Sequence, residues 1–188
     1  MHPHAVVIGG TGMLRRASVA IARQSQLFTA VARTPASLGA LDHAIGDVPG
    51  RERFYLNLDW DQPDQFLSSL SQHFGELMAP SLVLAWLHDV KLGPRVAGAL
   101  SRHASHCDFF QVMGSAGASP MSGAAVLRNQ LDSRDDLAYY QIVLGFKRER
   151  GSSRWLTDEE ISDGVLDAIS TKQPSYLVGS VTPWEERP

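Results

Sequence analysis

Short apolar runs alternate along the chain with longer segments in which apolar positions recur every three or four residues. The short runs are Ala5–Ile8, Phe28–Ala32, Phe54–Leu58, Leu82–Leu87, Phe109–Met113, Tyr139–Phe146 and Tyr176–Val181. Their β-branched and aromatic content predicts a strand at each. Ala5-Val6-Val7-Ile8 has no polar position, the pattern of a strand covered on both faces of a parallel sheet. Between the runs, Leu14, Ala17 and Ile21 share one face of a predicted helix over Met13–Ile21. Thr34-Pro35 reads as an N-cap followed by proline at the first helical position. Phe66, Leu70 and Phe74 mark a helix from Pro63 to Phe74, closed by Gly75, and Val96 and Leu100 mark another opened by Pro94. Thr157 and Glu160 form a capping box before a helix over Asp158–Ile169, whose inner face is Ile161, Val165 and Ile169. Strand–helix units repeated in this way predict an α/β fold with a doubly wound parallel sheet of about seven strands. No linker interrupts them, so one domain is expected over residues 1–188. The Gly-, Ala- and Ser-rich stretch Gly114–Ala125 is expected to be a mobile loop beside the site.

Composition narrows the class. Seventeen Lys and Arg against 20 Asp and Glu leave a net charge of −3, which argues against a nucleic-acid partner or a polybasic membrane surface. Leu82–Leu87 is the longest apolar run considered, far short of the ~18 residues of a membrane span. No basic stretch followed by an apolar one precedes the first strand, so no secretory leader is expected. The single cysteine, Cys107, excludes an intramolecular disulfide framework. Together these features lead to the expectation of a soluble cytoplasmic protein.

Candidate chemistry begins at Gly9-Gly10-Thr11-Gly12, between the first strand and the first helix. Strand, glycine turn and helix in this order are the context of a dinucleotide fingerprint: glycines let backbone N–H groups approach a pyrophosphate, and the helix N-terminus offers it unpaired donors. Taken alone, the cluster also suits a tight βα turn. Arg33 closes the second strand 21 residues after Gly12, where NAD-binding domains place an acid on the ribose 2′-hydroxyl. No acid appears before Asp42. A guanidinium there suits a 2′-phosphate and can stack on adenine; the alternative is a solvated surface arginine. With help from Arg15 or Arg16, it predicts NADPH over NADH.

These residues resemble the short-chain dehydrogenase/reductase family, and Gly9-Gly10-Thr11-Gly12-Met13 looks like the fingerprint of its atypical, NADP-preferring branch. The resemblance implies a Rossmann fold, shortened relative to typical members. Asp59, followed by Trp60, resembles the family's acid that contacts the adenine amino group. Ala85-Trp86-Leu87-His88 sits where the family has its Asn-Ala-Gly segment. Gly114-Ser115 falls near the catalytic serine, and Leu144-Gly145-Phe146 resembles the segment whose backbone holds the nicotinamide amide. More specifically, the Ala-Trp-x-His stretch and Ser153–Ser162 are similar to those of a group of small bacterial short-chain dehydrogenase-like proteins. The sequence departs from the family twice. Arg15 replaces the third fingerprint glycine, and the catalytic Tyr-x-x-x-Lys is missing, since Tyr139 is followed four residues later by Val143 and Tyr140 by Leu144.

In an open α/β sheet ligands sit at the carboxyl ends of the strands. Candidate catalytic groups there are Ser115, to hydrogen-bond a substrate oxygen, His88, to supply a proton, and Lys147, to stabilise negative charge. Arg154 is the candidate grip on an acidic substrate group, and Trp155 the pocket wall. His88 as a merely capping or exposed histidine and Ser115 as a cofactor-contacting turn serine are the alternatives. Tyr139 and Tyr140 fall at the far edge if their strand is parallel to the others. His103-x-x-His106-Cys107-Asp108 is read as a helix end rather than a metal site, and Lys147-Arg148-Glu149-Arg150 as a solvated loop. The function expected is an NADP-dependent oxidoreductase acting on a small carbonyl, imine or quinone-like substrate, or else a non-catalytic NADP-binding sensor. A homodimer is expected from the shortened chain.

Overall fold

The computed structural model describes residues 1–89, 91–101, 106–115, 131, 136–149 and 152–188. Most of the Gly114–Ala125 stretch, together with His103 and Arg150, lies outside them.

Seven parallel strands form one sheet among the described residues. They are β1 (His2–Ile8), β2 (Ser25–Ala32), β3 (Glu52–Asn57), β4 (Leu82–Trp86), β5 (Cys107–Met113), β6 (Leu137–Leu144) and β9 (Ser175–Val178), in the order β3-β2-β1-β4-β5-β6-β9. The central strands are buried on both faces, as their unbroken apolar runs require. Accompanying them among the described residues are the helices α1 (Arg15–Arg23), α2 (Pro35–Ile45), α3 (Pro63–Glu76), α4 (Leu92–Ser101) and α5 (Asp158–Thr171). Ala17, Leu38 and Ile161 bring α1, α2 and α5 into the core on one side. Phe66 and Val96 bring α3 and α4 into the core on the other. The doubly wound sheet is therefore the fold. Strand order reverses between β1 and β4, which opens a crevice at their carboxyl ends.

Several boundaries depart from the pattern for local reasons. Helix α1 starts at Arg15, because Gly12 to Leu14 are used in the turn that leads into it. Helix α3 continues through Gly75 and stops at Leu77, whose backbone is extended. Helix α4 begins at Leu92, two residues before Pro94. Its first turn has no intrahelical use for the missing N–H, and Asp89 starts it by accepting from the N–H groups of Lys91 and Leu92. Strand β9 ends at Val178, followed by Gly179 at φ +82°.

The largest departure follows β6. The run Tyr139–Phe146 is not one strand: β6 ends at Leu144, and Gly145 breaks it where a Cβ would collide with the Ser180 carbonyl oxygen. Phe146 then opens β7 (Phe146–Glu149), which pairs antiparallel with β8 (Ser152–Trp155). Residues 147–149, expected in a solvated loop, thus form a strand. A fully buried Phe146 anchors it to the core. The Thr157–Glu160 capping box opens α5 as expected.

Candidate functional site

The β1–α1 turn is shaped by its glycines. Gly9 takes a left-handed φ of +75°, and a Cβ there would strike the Trp86 carbonyl oxygen. Gly10 packs against Val7 and Ser18, and the Ser18 hydroxyl donates to the Gly10 carbonyl at 2.8 Å. Gly12 differs, because a Cβ there would project into open space. The N–H groups of Thr11, Gly12 and Met13 have no hydrogen-bond partner among the described residues. No acidic residue occupies the first turn of α1, so these donors and the helix dipole stand uncompensated. Chemically this is a cradle for a phosphate.

A cleft of about 300 Å³ runs from this turn towards β2 and β3. Gly9, Thr11, Gly12 and Met13 line one end, and Arg33, Thr34 and Ser37 line another. Trp60, Trp86 and His88 complete its walls. The Arg33 guanidinium lies over the Trp60 ring, with Cζ 5.1 Å from the centroid, and pairs with Asp61 at 3.2 Å. Trp60 is nine-tenths buried, and among the described residues its Nε1 is the only buried side-chain nitrogen or oxygen without a partner. A buried donor left unpaired is costly and suits a ligand acceptor. A larger hollow of about 620 Å³ lies between α3 and α4, along helix flanks rather than at strand ends.

Trp86 ends β4 and meets the exposed His88 edge-on, with ring centroids 5.8 Å apart. A Cβ on Gly114 would lie 3.9 Å from the Trp86 ring, so the end of β5 reaches the same wall. Ser115 follows it and is nearly buried, while Ala85 is fully buried within β4.

Other expected site residues go elsewhere. Asp59 Oδ1 accepts from the Asp61 N–H at 3.1 Å, and its carbonyl from Gln62, so Asp59 shapes the turn before α3. Arg15 folds back to donate to the Thr11 carbonyl at 2.9 Å, and Arg16 reaches Asp163 on α5 at 3.1 Å. Both line a separate hollow between α1 and α5 instead of joining Arg33. The Gly145 N–H donates to Val178, and the Phe146 N–H and carbonyl pair with Ser180 at 2.8 Å each. These three groups are consequently not free to hold a ligand amide.

Lys147 and Arg154 are directly opposed across the β7–β8 pair, a like-charge arrangement that two carboxylates compensate. Glu160 accepts from Arg154 at 2.8 and 2.9 Å and from Lys147 at 2.8 Å. Glu149 pairs with Arg154 at 2.7 Å and with Lys147 at 3.5 Å. Arg154, Lys147 and the Thr157 N–H hold the Glu160 carboxyl well below the usual carboxylate range, while Glu160 and Glu149 raise Lys147. Neither cation lines the cleft, and Trp155, half exposed, does not wall it. The expected anion grip is therefore already occupied by the chain's own acids.

Tyr139 and Tyr140 lie near the amino end of β6, which is parallel to β5 and β9. The Tyr139 hydroxyl donates to Gln111 at 2.8 Å, and that of Tyr140 to Asp108 at 3.2 Å. Cys107 is buried, and burial, with Asp108 and Asp136, pushes its thiol up to about 12. No group of three His, Cys, Asp or Glu side chains among the described residues could hold a metal ion. No described helix is long and apolar enough to cross a membrane. Sequence reasoning assigned Thr34 only to helix capping and passed over Ser37 and Asp61. Their nearness to Arg33 was the available signal for the first two.

No protein-family model and no curated protein matches the chain. Solved structures do match in shape. An alcohol dehydrogenase from Comamonas testosteroni specific for bulky-bulky ketones is similar with a TM-score of 0.77 at 13% identity, covering 97% of this chain and 88% of that one. A short-chain dehydrogenase from Sphingobium yanoikuyae, solved with NADPH, gives 0.73 at 14%, covering 97% and 91%. An NAD⁺-bound xylitol dehydrogenase gives 0.64 at 11%, covering 78% and 71%. The likeness establishes a Rossmann-like fold shared with short-chain dehydrogenases.

Proposed function

We infer that the protein is an oxidoreductase of the short-chain dehydrogenase/reductase type that binds NADP(H) as one domain and acts on a small carbonyl, imine or quinone-like substrate. One observation carries the reading: Arg33 is stacked over Trp60 at the far end of a cleft whose near end is a row of backbone donors with no partner among the described residues. Anion-binding groups at both ends suit a nucleotide that carries phosphate at two places, and the NADPH and NAD⁺ bound to two of the structural neighbours support a nicotinamide cofactor. When bound, the nicotinamide would accept or supply hydride.

The chain's own residues have separable tasks in this reading. Thr11, Gly12 and Met13 hold the pyrophosphate through their N–H groups. Arg33 faces the 2′-phosphate, with Thr34 and Ser37 beside it. The Trp60 N–H finds an acceptor on the adenosine. His88 exchanges the proton, and Ser115 orients the substrate oxygen. Lys147 and Arg154 instead hold the β7–β8 pair against α5.

The test is a thermal-shift titration with NADPH and NADH. NADPH is expected to bind about tenfold more tightly, the value of added charge-assisted bonds, and Arg33→Asp should erase the preference. Equal affinities in the unaltered protein would refute the assignment of Arg33. Where turnover is found, His88→Ala or Ser115→Ala should lower it by about 10²-fold with NADPH affinity nearly constant. A non-catalytic NADP sensor is the second reading, favoured because none of the four tyrosines is followed four residues later by lysine. Tight binding without turnover over a panel of carbonyls and quinones would select it. Exposed Trp155, Leu177 and Trp184 support a homodimer, and light scattering that shows only monomer would remove that part of the reading.

A further inference from the structure

Resting on the nucleotide-binding reading above, we propose that Asp61 is an internal competitor for Arg33 that limits how strongly the cleft prefers a 2′-phosphorylated nucleotide. Asp61 comes from the β3–α3 turn, 28 residues from Arg33 in sequence, and its carboxylate sits 3.2 Å from the guanidinium. Its place is fixed from behind. Asp59 Oδ1 accepts the Asp61 N–H, and the Asp59 carbonyl accepts that of Gln62. Asp61 itself stands outside the cleft lining, whereas Arg33 belongs to it.

The guanidinium is half engaged. Only its Nη1 reaches Asp61, and its Nε and Nη2 make no hydrogen bond among the described residues. Stacking on Trp60 fixes the plane from which those donors project. A phosphate on the ribose brings nearly two negative charges to the same guanidinium. It must share Arg33 with Asp61 or displace it, against like-charge repulsion at close range. A ribose with a free 2′-hydroxyl brings no such charge and leaves the pair alone. Both partners are substantially exposed, at 46% and 67%, so their attraction is weak and a phosphate can compete with it. Asp61 therefore lowers affinity for one class of nucleotide and leaves the other unchanged. Discrimination is set by the Arg33–Asp61 pair rather than by Arg33 alone.

The test compares Asp61→Asn with the unaltered protein by calorimetry, using NADPH and NADH together with adenosine 2′,5′-bisphosphate and 5′-AMP. In Asp61→Asn, NADPH and the bisphosphate are expected to bind about fivefold more tightly at low salt, with NADH and 5′-AMP changed less than twofold. The gain should shrink as salt is raised, because an exposed pair is screened. A loss of NADPH affinity would mean that Asp61 positions Arg33, and would overturn the proposal. An unchanged ratio, an equal gain for both classes, or a gain that persists at high salt would overturn it as well. Failure of the unaltered protein to bind either dinucleotide would instead overturn the nucleotide-binding reading, and this inference with it.

Discussion

Two regions of this protein carry arginines beyond the carboxyl ends of the sheet, and the fold leaves one cationic while neutralising the other. In the crevice region, among the described residues, Arg33 has one exposed carboxylate beside it and faces a cleft whose backbone donors have no partner. In the hairpin region, Lys147 and Arg154 share Glu149 and Glu160 through four ion pairs of 2.7–3.5 Å, and Glu160 also caps α5. An arginine after a strand is thus not by itself a ligand grip. What matters is how many acids the fold brings to it from other elements, and how firmly those acids are held.

The comparison can be broken most severely at its hinge, the β1–α1 turn. Gly9→Ala places a Cβ in a left-handed backbone and against the Trp86 carbonyl oxygen. It should cost about 2–4 kcal/mol in urea unfolding, from strain plus overpacking. A loss below 1 kcal/mol would show that β1 and β4 can part easily there.

Acid should then separate the two regions by pH window. Beneath the crevice, His4 bonds Thr29 at 3.0 Å, and Thr29 bonds His73 at 3.1 Å. Burial lowers both histidines below their ordinary 6.5. The unfolded chain takes up their protons first, so the stability they confer is present above 6.5 and falls as pH drops below it. In the hairpin region, Arg154 lowers both Glu160 and Glu149 from 4.5, so their contribution is complete above that value and is lost only as pH falls through it. Unfolding midpoints should decline as pH falls below 6.5 and again as it falls below 4.5. Replacing Glu149 with Gln should weaken only the second decline. Its persistence would remove the ion network from the account.

Smaller effects sharpen the contrast. Thr157→Ala removes half of the capping box and should cost about 1 kcal/mol, with little change in nucleotide binding. Gly12→Ala should change stability least, within about 0.5 kcal/mol on a surface turn, because its Cβ meets nothing within 4 Å. Because Gly12 lines the cleft, the added methyl should weaken NADPH binding by about tenfold if that binding needs close backbone approach. Unchanged binding would detach the cradle from the proposed function.

Much of the fold was legible because its strongest signals are local. Unbroken runs such as Ala5–Ile8 and Leu82–Leu87 suit strands covered on both sides, and the Thr157–Glu160 cap marks the start of α5. The end of β6 was not legible. Tyr139–Phe146 reads as one strand, and only the approach of Ser180 to Gly145 breaks it. The candidate site divides in the same way. Arg33 lines the cleft, where its place after β2 puts it, while Lys147 and Arg154, equally conspicuous in the sequence, are held by Glu160.

Neighbouring residues alone encode the alternation of strands and helices, the glycine turn at the head of α1 and a cation just after β2. Each rests on residues within a few positions of one another: apolar periodicity, the conformational freedom of Gly9, the capping of α2 by Thr34. Which charges remain open depends instead on contacts between distant elements. Asp61 reaches Arg33 from 28 residues away and Glu160 reaches Lys147 from 13, across elements whose packing follows from burial rather than from charge. Exposed ion pairs are too weak to direct that packing, so the sequence pattern of charges does not encode their partners.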